Sequence, residues 1–113
     1  MKTLNERRHH ENIQLSAAQK FVLTKLVSAE TPLNAYEAVS RGSNVVAARD
    51  MLTKIGLMTF SENNAEITEN GQEALKKEAL VDEMGELTEE GQLWGFAETP
   101  EEAAKAEHEA QGK

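Results

Sequence analysis

Residues 43–71 read SNVVAARDMLTKIGLMTFSENNAEITENG, and this stretch decides the fold. In its first half, apolar residues recur every three or four positions, which predicts a helix ending near Ile55. Ser43 or Asn44 can cap the start of this helix, and Gly56 follows its end as a C′ glycine. The predicted apolar face consists of Val45, Ala48, Leu52 and Ile55.

The second half of the stretch changes period from helical to extended. Residues 57–61 predict a strand, residues 62–65 a turn that includes two asparagines, and residues 66–68 a returning strand. Thr68 then predicts the cap of a fourth helix that runs to about Val81. A tight β-hairpin therefore separates two helices.

Two further helices are predicted upstream of this stretch. Residues 15–29 show apolar residues at helical spacing, and Ser16 with Gln19 has the spacing of a capping box. Asn34 predicts the cap of a short second helix, with Glu37 at the reciprocal position. The fold class is therefore mainly α with a small β-hairpin, in the order of three helices, a hairpin and a helix.

Downstream, residues 67–72 (ITENGQ) are echoed by residues 87–92 (LTEEGQ). Each copy has an apolar residue, a threonine cap, an acidic first turn that suits the helix dipole, and a glycine. The second copy predicts a helix that carries Leu93, Trp94 and Phe96. A last, alanine-rich helix is predicted from Thr99, with Pro100 at its first position and Glu102 completing a capping box.

The net charge of −8 is distributed unevenly along the 113 residues. Residues 1–13 carry a net +1 and predict a flexible polar arm, and residues 14–81 carry a net −1 and hold most of the large apolar side chains. Residues 82–113 carry a net −8 and predict an acidic helical extension and tail.

Several classes of function lack the residues they need. The chain has no cysteine, no Gly-rich phosphate loop, and no apolar run near the ~20 residues that span a bilayer. Its three histidines lie near the termini, where no catalytic triad can be argued. We therefore expect no enzyme, cofactor, metal site or small-molecule substrate, no membrane partner, and a cytoplasmic location in the absence of a signal peptide.

Three short phrases resemble winged helix-turn-helix proteins of the MarR group. They are LSAAQ at residues 15–19, LTKIGLM at residues 52–58 and ITENG at residues 67–71. The resemblance covers about residues 15–80 and implies that residues 14–81 form a winged-helix domain with a C-terminal helical extension. It also implies duplex DNA binding, with the third helix in the major groove and the hairpin as the wing.

Candidate DNA-binding residues follow from that resemblance. Base readout and phosphate contact need donors and cations, and the chain offers these on the third helix, on the turn before it, and on the N-terminal arm. However, no basic residue lies between Lys54 and Lys76, whereas four glutamates do. The candidates are Arg41, Ser43, Asn44, Arg49 and Lys54, with Arg7 and Arg8 on the arm.

A protein partner is the competing interpretation. Val46 and Ala47 on the third helix offer only methyl groups, and an aromatic segment with Leu93, Trp94 and Phe96 has the composition of an interface anchor. The same segment could instead pack back on its own domain, or on a second subunit as a homodimer. We therefore expect a non-enzymatic regulatory adaptor that acts mainly through a protein partner, with a DNA-binding transcription regulator as the alternative.

Overall fold

The computed structural model describes residues 15–111 of the chain. The predicted arm, with Arg7 and Arg8, lies outside the described residues. The elements are α1 (Ala17–Ser28), α2 (Pro32–Ala38), α3 (Ser43–Lys54), β1 (Met58–Ser61), β2 (Asn64–Ile67), α4 (Glu69–Lys77), α5 (Glu89–Gly95) and α6 (Pro100–Gln111). The described chain is mainly helical with one two-stranded antiparallel hairpin, as predicted.

The starts of the first three helices show which sequence signals were correct. Ser16 caps α1 through the predicted capping box with Gln19. The predicted Asn34 cap is wrong, because α2 begins earlier, at a Thr31 cap followed by proline at the first helical position. The predicted Ser43 or Asn44 cap is also wrong, since Gly42 is the N-cap of α3 and supplies no side-chain bond.

The first hairpin is joined to the helices on both sides by backbone hydrogen bonds and by the side-chain hydroxyl of Thr68. Gly56 has φ +86° after α3, and the Leu57 amide donates back to the carbonyl of Leu52 at 2.9 Å. The Thr68 hydroxyl donates to the Gly56 carbonyl at 2.7 Å and accepts from the Gly71 amide at 3.2 Å. A Cβ at Gly71 would overlap the Leu57 carbonyl oxygen, so only glycine allows this approach.

The same set of bonds occurs a second time after α4. Ala79 takes the left-handed conformation with φ +61°, and the Leu80 amide donates to the Leu75 carbonyl at 2.9 Å. The Thr88 hydroxyl donates to the Ala79 carbonyl at 2.7 Å and accepts from the Gly91 amide at 3.1 Å. The sequence echo is therefore a structural repeat, and the second hairpin is reduced to one antiparallel bridge, between Val81 and Leu87.

Two predicted boundaries differ from the structure. The helix α4 ends at Lys77 and not near Val81, because Ala79 leaves the helical conformation and Val81 joins the second hairpin. The turn of the first hairpin is shorter than predicted, since Asn64 pairs with Ser61 as the first residue of β2.

One apolar core runs across the predicted boundary after Val81. Phe21, Leu52 and Leu75 belong to the same buried cluster as Trp94 and Ala103 of the C-terminal helices. The helix α5 packs on α1, and α6 packs on both α1 and α5. The described part of residues 82–113 is therefore an integral layer of the fold, where the sequence predicted an extension and tail. None of the helices in residues 15–111 has the length and apolar character needed to cross a membrane.

Candidate binding surface around the third helix

The outward side of α3 carries a stripe of exposed apolar side chains. Ala47, Met51 and Ile55 are four residues apart and therefore lie one above the other on the helix surface. Met51 is 48% exposed and Ile55 is 46% exposed. Ile55 was predicted to lie on the buried face, which is wrong, because its position four residues after Met51 places it on the exposed side of α3. We call Ala47, Met51 and Ile55 the α3 stripe.

The candidate DNA-reading side chains on and before α3 are not equivalent. Arg41, Ser43, Asn44 and Lys54 are all exposed. Val46, which was predicted to meet a partner, is partly buried, whereas Ala47 is exposed. The turn before α3 and both ends of the helix are thus accessible, but one central cation is engaged elsewhere.

That central cation is Arg49, which lies against the first hairpin. Its guanidinium carbon is 4.0 Å from the centroid of the Phe60 ring, and Phe60 stacks in turn on Tyr36 at 5.0 Å. Arg49 also donates to Asp50 Oδ1 from Nε at 3.0 Å and from Nη2 at 2.8 Å. Its side chain is 14% exposed, so it fixes the hairpin to α2 and α3 and is not extended toward a DNA groove.

Two concavities lie beside α3, where its N-terminal half approaches α6. The larger measures about 790 Å³ and has charged walls of both signs, among them Lys25, Arg41, Glu98 and Glu101. The smaller measures about 490 Å³ and is mainly apolar, with walls from α1, α3 and α6. Residues of the smaller one include Ala18, Ala47, Met51, Pro100 and Ala104.

Acidic side chains surround this region. Glu98 and Glu101 border the larger concavity close to Arg41 and Asn44, two of the candidate DNA contacts. Burial lowers the pKa of Lys25, and the negative charges of Glu98 and Glu102 raise it in opposition. In the first hairpin and at the start of α4, the exposed charged residues are Glu62, Glu66 and Glu69. A phosphate backbone that approached α3 would meet these carboxylates on both sides.

The predicted aromatic anchor occupies a different place. Trp94 is 1% exposed and lies in the core, so its prediction as a partner-binding residue is wrong for the folded chain. Leu93 is partly buried and packs against the same core. Phe96, at the end of α5, is 67% exposed and remains available to a partner. A homodimer through this segment would have Phe96 as its large exposed side chain.

Trp94 is held by a group of charged residues that no sequence motif indicated. Its indole Nε1 donates to Glu107 Oε2 on α6 at 2.9 Å, and Lys20 Nζ lies 5.3 Å from the ring centroid. Lys20 Nζ is also 3.8 Å from Glu107 Oε1 and 3.9 Å from Glu78 Oε1. Glu90 completes the group, which we call the Lys20 cluster: Lys20, Glu78, Glu90 and Glu107.

Sequence reasoning missed Met51 and the Lys20 cluster for different reasons. The spacing of Met51 four residues after Ala47 was a usable signal for the α3 stripe. The Lys20 cluster had no such signal, because its four members come from α1, the cap residue of α4, α5 and α6. Within residues 15–111, no group of three or more His, Cys, Asp or Glu side chains is arranged to hold a metal ion.

Comparisons with known proteins found no relative of this chain. No protein-family model matches the chain, and no curated protein or solved structure matches it at a significant level.

Proposed function

We propose that residues 15–80 form a winged helix-turn-helix module and that the protein is a non-enzymatic regulatory adaptor that binds a protein partner through α3. The order of three helices, an antiparallel hairpin and a helix supports the winged-helix part of this proposal. The resemblance of three phrases to MarR-like proteins supports it independently. Since such folds serve many functions, the choice of partner is argued from the surface.

The α3 stripe is the observation that carries the protein partner. In a winged helix this side of the third helix faces the ligand, and here its most exposed large side chains are Met51 and Ile55. Contiguous exposed apolar side chains mark protein-binding surfaces, and methionine adapts its shape to a partner. The apolar concavity beside Ala47 extends the stripe toward α6.

Duplex DNA is the second candidate. Arg41, Asn44 and Lys54 are exposed and favour it. The pairing of Arg49 with Asp50 and the exposed glutamates of the hairpin disfavour it, because non-specific DNA affinity comes mainly from unpaired cations.

Opposite outcomes for a stripe variant and a matched control test the proposal. Met51→Glu places a charge in the α3 stripe, whereas Leu33→Glu places one on α2, where Leu33 is similarly exposed. We expect partners captured by the wild-type chain from extracts of its native cells to be lost with Met51→Glu, by about tenfold or more, and kept with Leu33→Glu. Equal capture by both variants would remove the α3 stripe from the interface.

The DNA alternative has its own measurement. At about 50 mM salt, where electrostatic affinity is enhanced, we expect no duplex binding by the full chain. Salt-dependent binding that weakens on Arg41→Ala and Lys54→Ala, but not on Lys77→Ala, would establish the DNA alternative instead. Lys77 is a suitable control because it is exposed at the end of α4.

A further inference from the structure

The two concavities beside α3 are parts of one depression, which we call the trough. Both are lined by Asn44 of α3 and by Pro100 and Glu101 of α6, so they meet at these three residues. The smaller concavity lies along the middle of α3 and reaches Met51, whereas the larger one lies at the start of the helix, beside Ser43. Since eight residues separate these two positions, the trough extends for about 12 Å along α3.

The smaller, apolar part of the trough is lined by short side chains that are carried on helices. Its walls come from the start of α1, from α3 and from α6, and they include the alanines Ala17, Ala18, Ala47, Ala48 and Ala104. Because the backbone groups inside a helix bond to one another, these walls offer no unpaired strand edge to an extended peptide. The occupant that suits them has a backbone that bonds to itself, as a helix does when its apolar face lies in a groove.

The larger part of the trough has more carboxylates than cations. Two basic side chains, Lys25 and Arg41, line it together with the exposed glutamates Glu37, Glu98 and Glu101. The ion pairs found within residues 15–111 include none of these five side chains, so the glutamates are available to the cations of a partner. The net charge of −8 on the whole chain adds attraction at longer range. This end of the trough therefore favours basic side chains.

We infer that the trough binds a basic amphipathic helix of a partner protein, an inference that rests on the proposed function and names the chemistry of its partner. Large apolar side chains of that helix fill the alanine-lined part beside Met51. Lysine or arginine side chains about two helical turns away face Glu98 and Glu101. The basic end of the partner helix therefore lies at the start of α3, and an acidic helix is repelled there.

Two synthetic peptides test this pairing with the full chain. Both are about 18 residues long, which is enough to form a helix, and both have the same leucine face, but one carries lysine on its polar face and the other glutamate. In fluorescence anisotropy at about 150 mM salt, we expect the lysine peptide to bind more tightly than the glutamate peptide by about tenfold or more. Binding of neither peptide, or no preference for lysine, would overturn the inference.

A matched pair of double variants tests whether that preference arises in the trough. Glu98→Gln with Glu101→Gln removes two exposed carboxylates from the trough, whereas Glu83→Gln with Glu86→Gln removes two exposed carboxylates from the second hairpin. The net charge changes equally in both. We expect the affinity for the lysine peptide to fall by about threefold to tenfold in the first and by less than about twofold in the second. Equal losses would mean that the peptide responds to overall charge, and would contradict the inference.

The peptide measurements and the proposed function can fail separately. If Met51→Glu loses the native partner but the lysine peptide shows no preference for the chain, α3 remains the binding surface and the inference about a basic helix is wrong. If Met51→Glu and Leu33→Glu capture partners equally, the proposed function fails whatever the peptides show. Sedimentation of the free chain as a dimer that the lysine peptide does not dissociate would assign the trough to a second copy and overturn the inference.

Discussion

The two hairpin–helix units share one set of backbone and threonine hydrogen bonds but differ in the length of the hairpin and in what it carries. In the first unit, residues 56–77, the hairpin has four residue pairs and carries Phe60, which stacks between Tyr36 and Arg49. In the second unit, residues 79–95, the hairpin is a single bridge and the helix carries the buried Trp94. The first unit places the longer hairpin beside α3 and contributes Met58 and Ala65 to the core, and the second adds Trp94 to that core.

This comparison separates what local bonding determines from what packing determines. A left-handed residue, a leucine, a capping threonine and a glycine three residues later repeat with nearly the same hydrogen-bond lengths. The residues between them determine the length of the hairpin, which has four residue pairs in the first unit and one bridge in the second. Substitutions at matched positions can therefore show whether the two copies are energetically equivalent.

The largest expected effect on the free energy of unfolding comes from Trp94, the buried aromatic residue of the second unit. Trp94→Ala removes a fully buried indole and its bond to Glu107, and should lower the free energy of unfolding by about 3–5 kcal/mol. Phe96→Ala, two residues away and exposed, should change it by less than about 0.5 kcal/mol. Urea denaturation followed by far-UV circular dichroism gives both values. Similar losses for the two variants would mean that the second unit does not add Trp94 to the core.

The glycines inside the two helices provide the next comparison. Gly71→Ala and Gly91→Ala each force a Cβ against a leucine carbonyl, of Leu57 and Leu80 respectively, and each should cost about 1–3 kcal/mol. Asn70→Ala, at the exposed neighbouring position, is the control and should be nearly neutral. If one of the two substitutions leaves the free energy of unfolding unchanged, the two copies of the repeat are not energetically equivalent.

The capping threonines should show smaller and equal effects. Thr68→Ala and Thr88→Ala each remove one bond to a glycine amide and one to the carbonyl of the left-handed residue, and each should cost about 1 kcal/mol. Thr59→Ala, on an exposed position of β1, serves as the control. Thermal unfolding of the three variants gives the comparison, and a cost at Thr59 equal to that at the caps would argue against the capping account.

The smallest effects concern the left-handed residues, and they have opposite signs. Ala79→Gly relieves a positive φ and should stabilise the protein by about 0.5–1 kcal/mol. Gly56→Ala should destabilise it by a similar amount, because nothing lies within 4 Å of the added methyl group and only backbone strain changes. Urea midpoints of the two variants should move in opposite directions, and movement in the same direction would break the correspondence between the units.

Local signals allowed the sequence to predict most helix starts and the hairpin. Thr68, Thr88 and Thr99 cap the predicted helices because a capping threonine bonds to an amide three residues away. Errors arose where two local signals competed, as at Thr31 and Asn34, or where a non-glycine residue took the left-handed conformation, as at Ala79.

The candidate site was less predictable because its main features depend on distant contacts. Arg49 lies against Phe60 on the hairpin, and Trp94 is buried in a core that includes Ala103 of α6 and bonds to Glu107 of the same helix. The exposed part of the site, with Ala47, Asn44 and Lys54, could be read from helical spacing alone. The structure therefore differs from the predictions for Arg49 and Trp94 because of contacts with residues distant in sequence, whereas local periodicity was enough for Ala47, Asn44 and Lys54.

The central claim is that residues 82–111 form one core with the preceding helices, so that α6 and α3 shape a common surface. Urea unfolding of the wild-type chain, followed by Trp94 fluorescence and by far-UV circular dichroism in the same samples, tests it most directly. The account predicts coincident transitions, because Trp94 lies in the cluster that also contains Phe21, Leu52 and Leu75. A Trp94 transition at clearly lower urea than the loss of helix would contradict it.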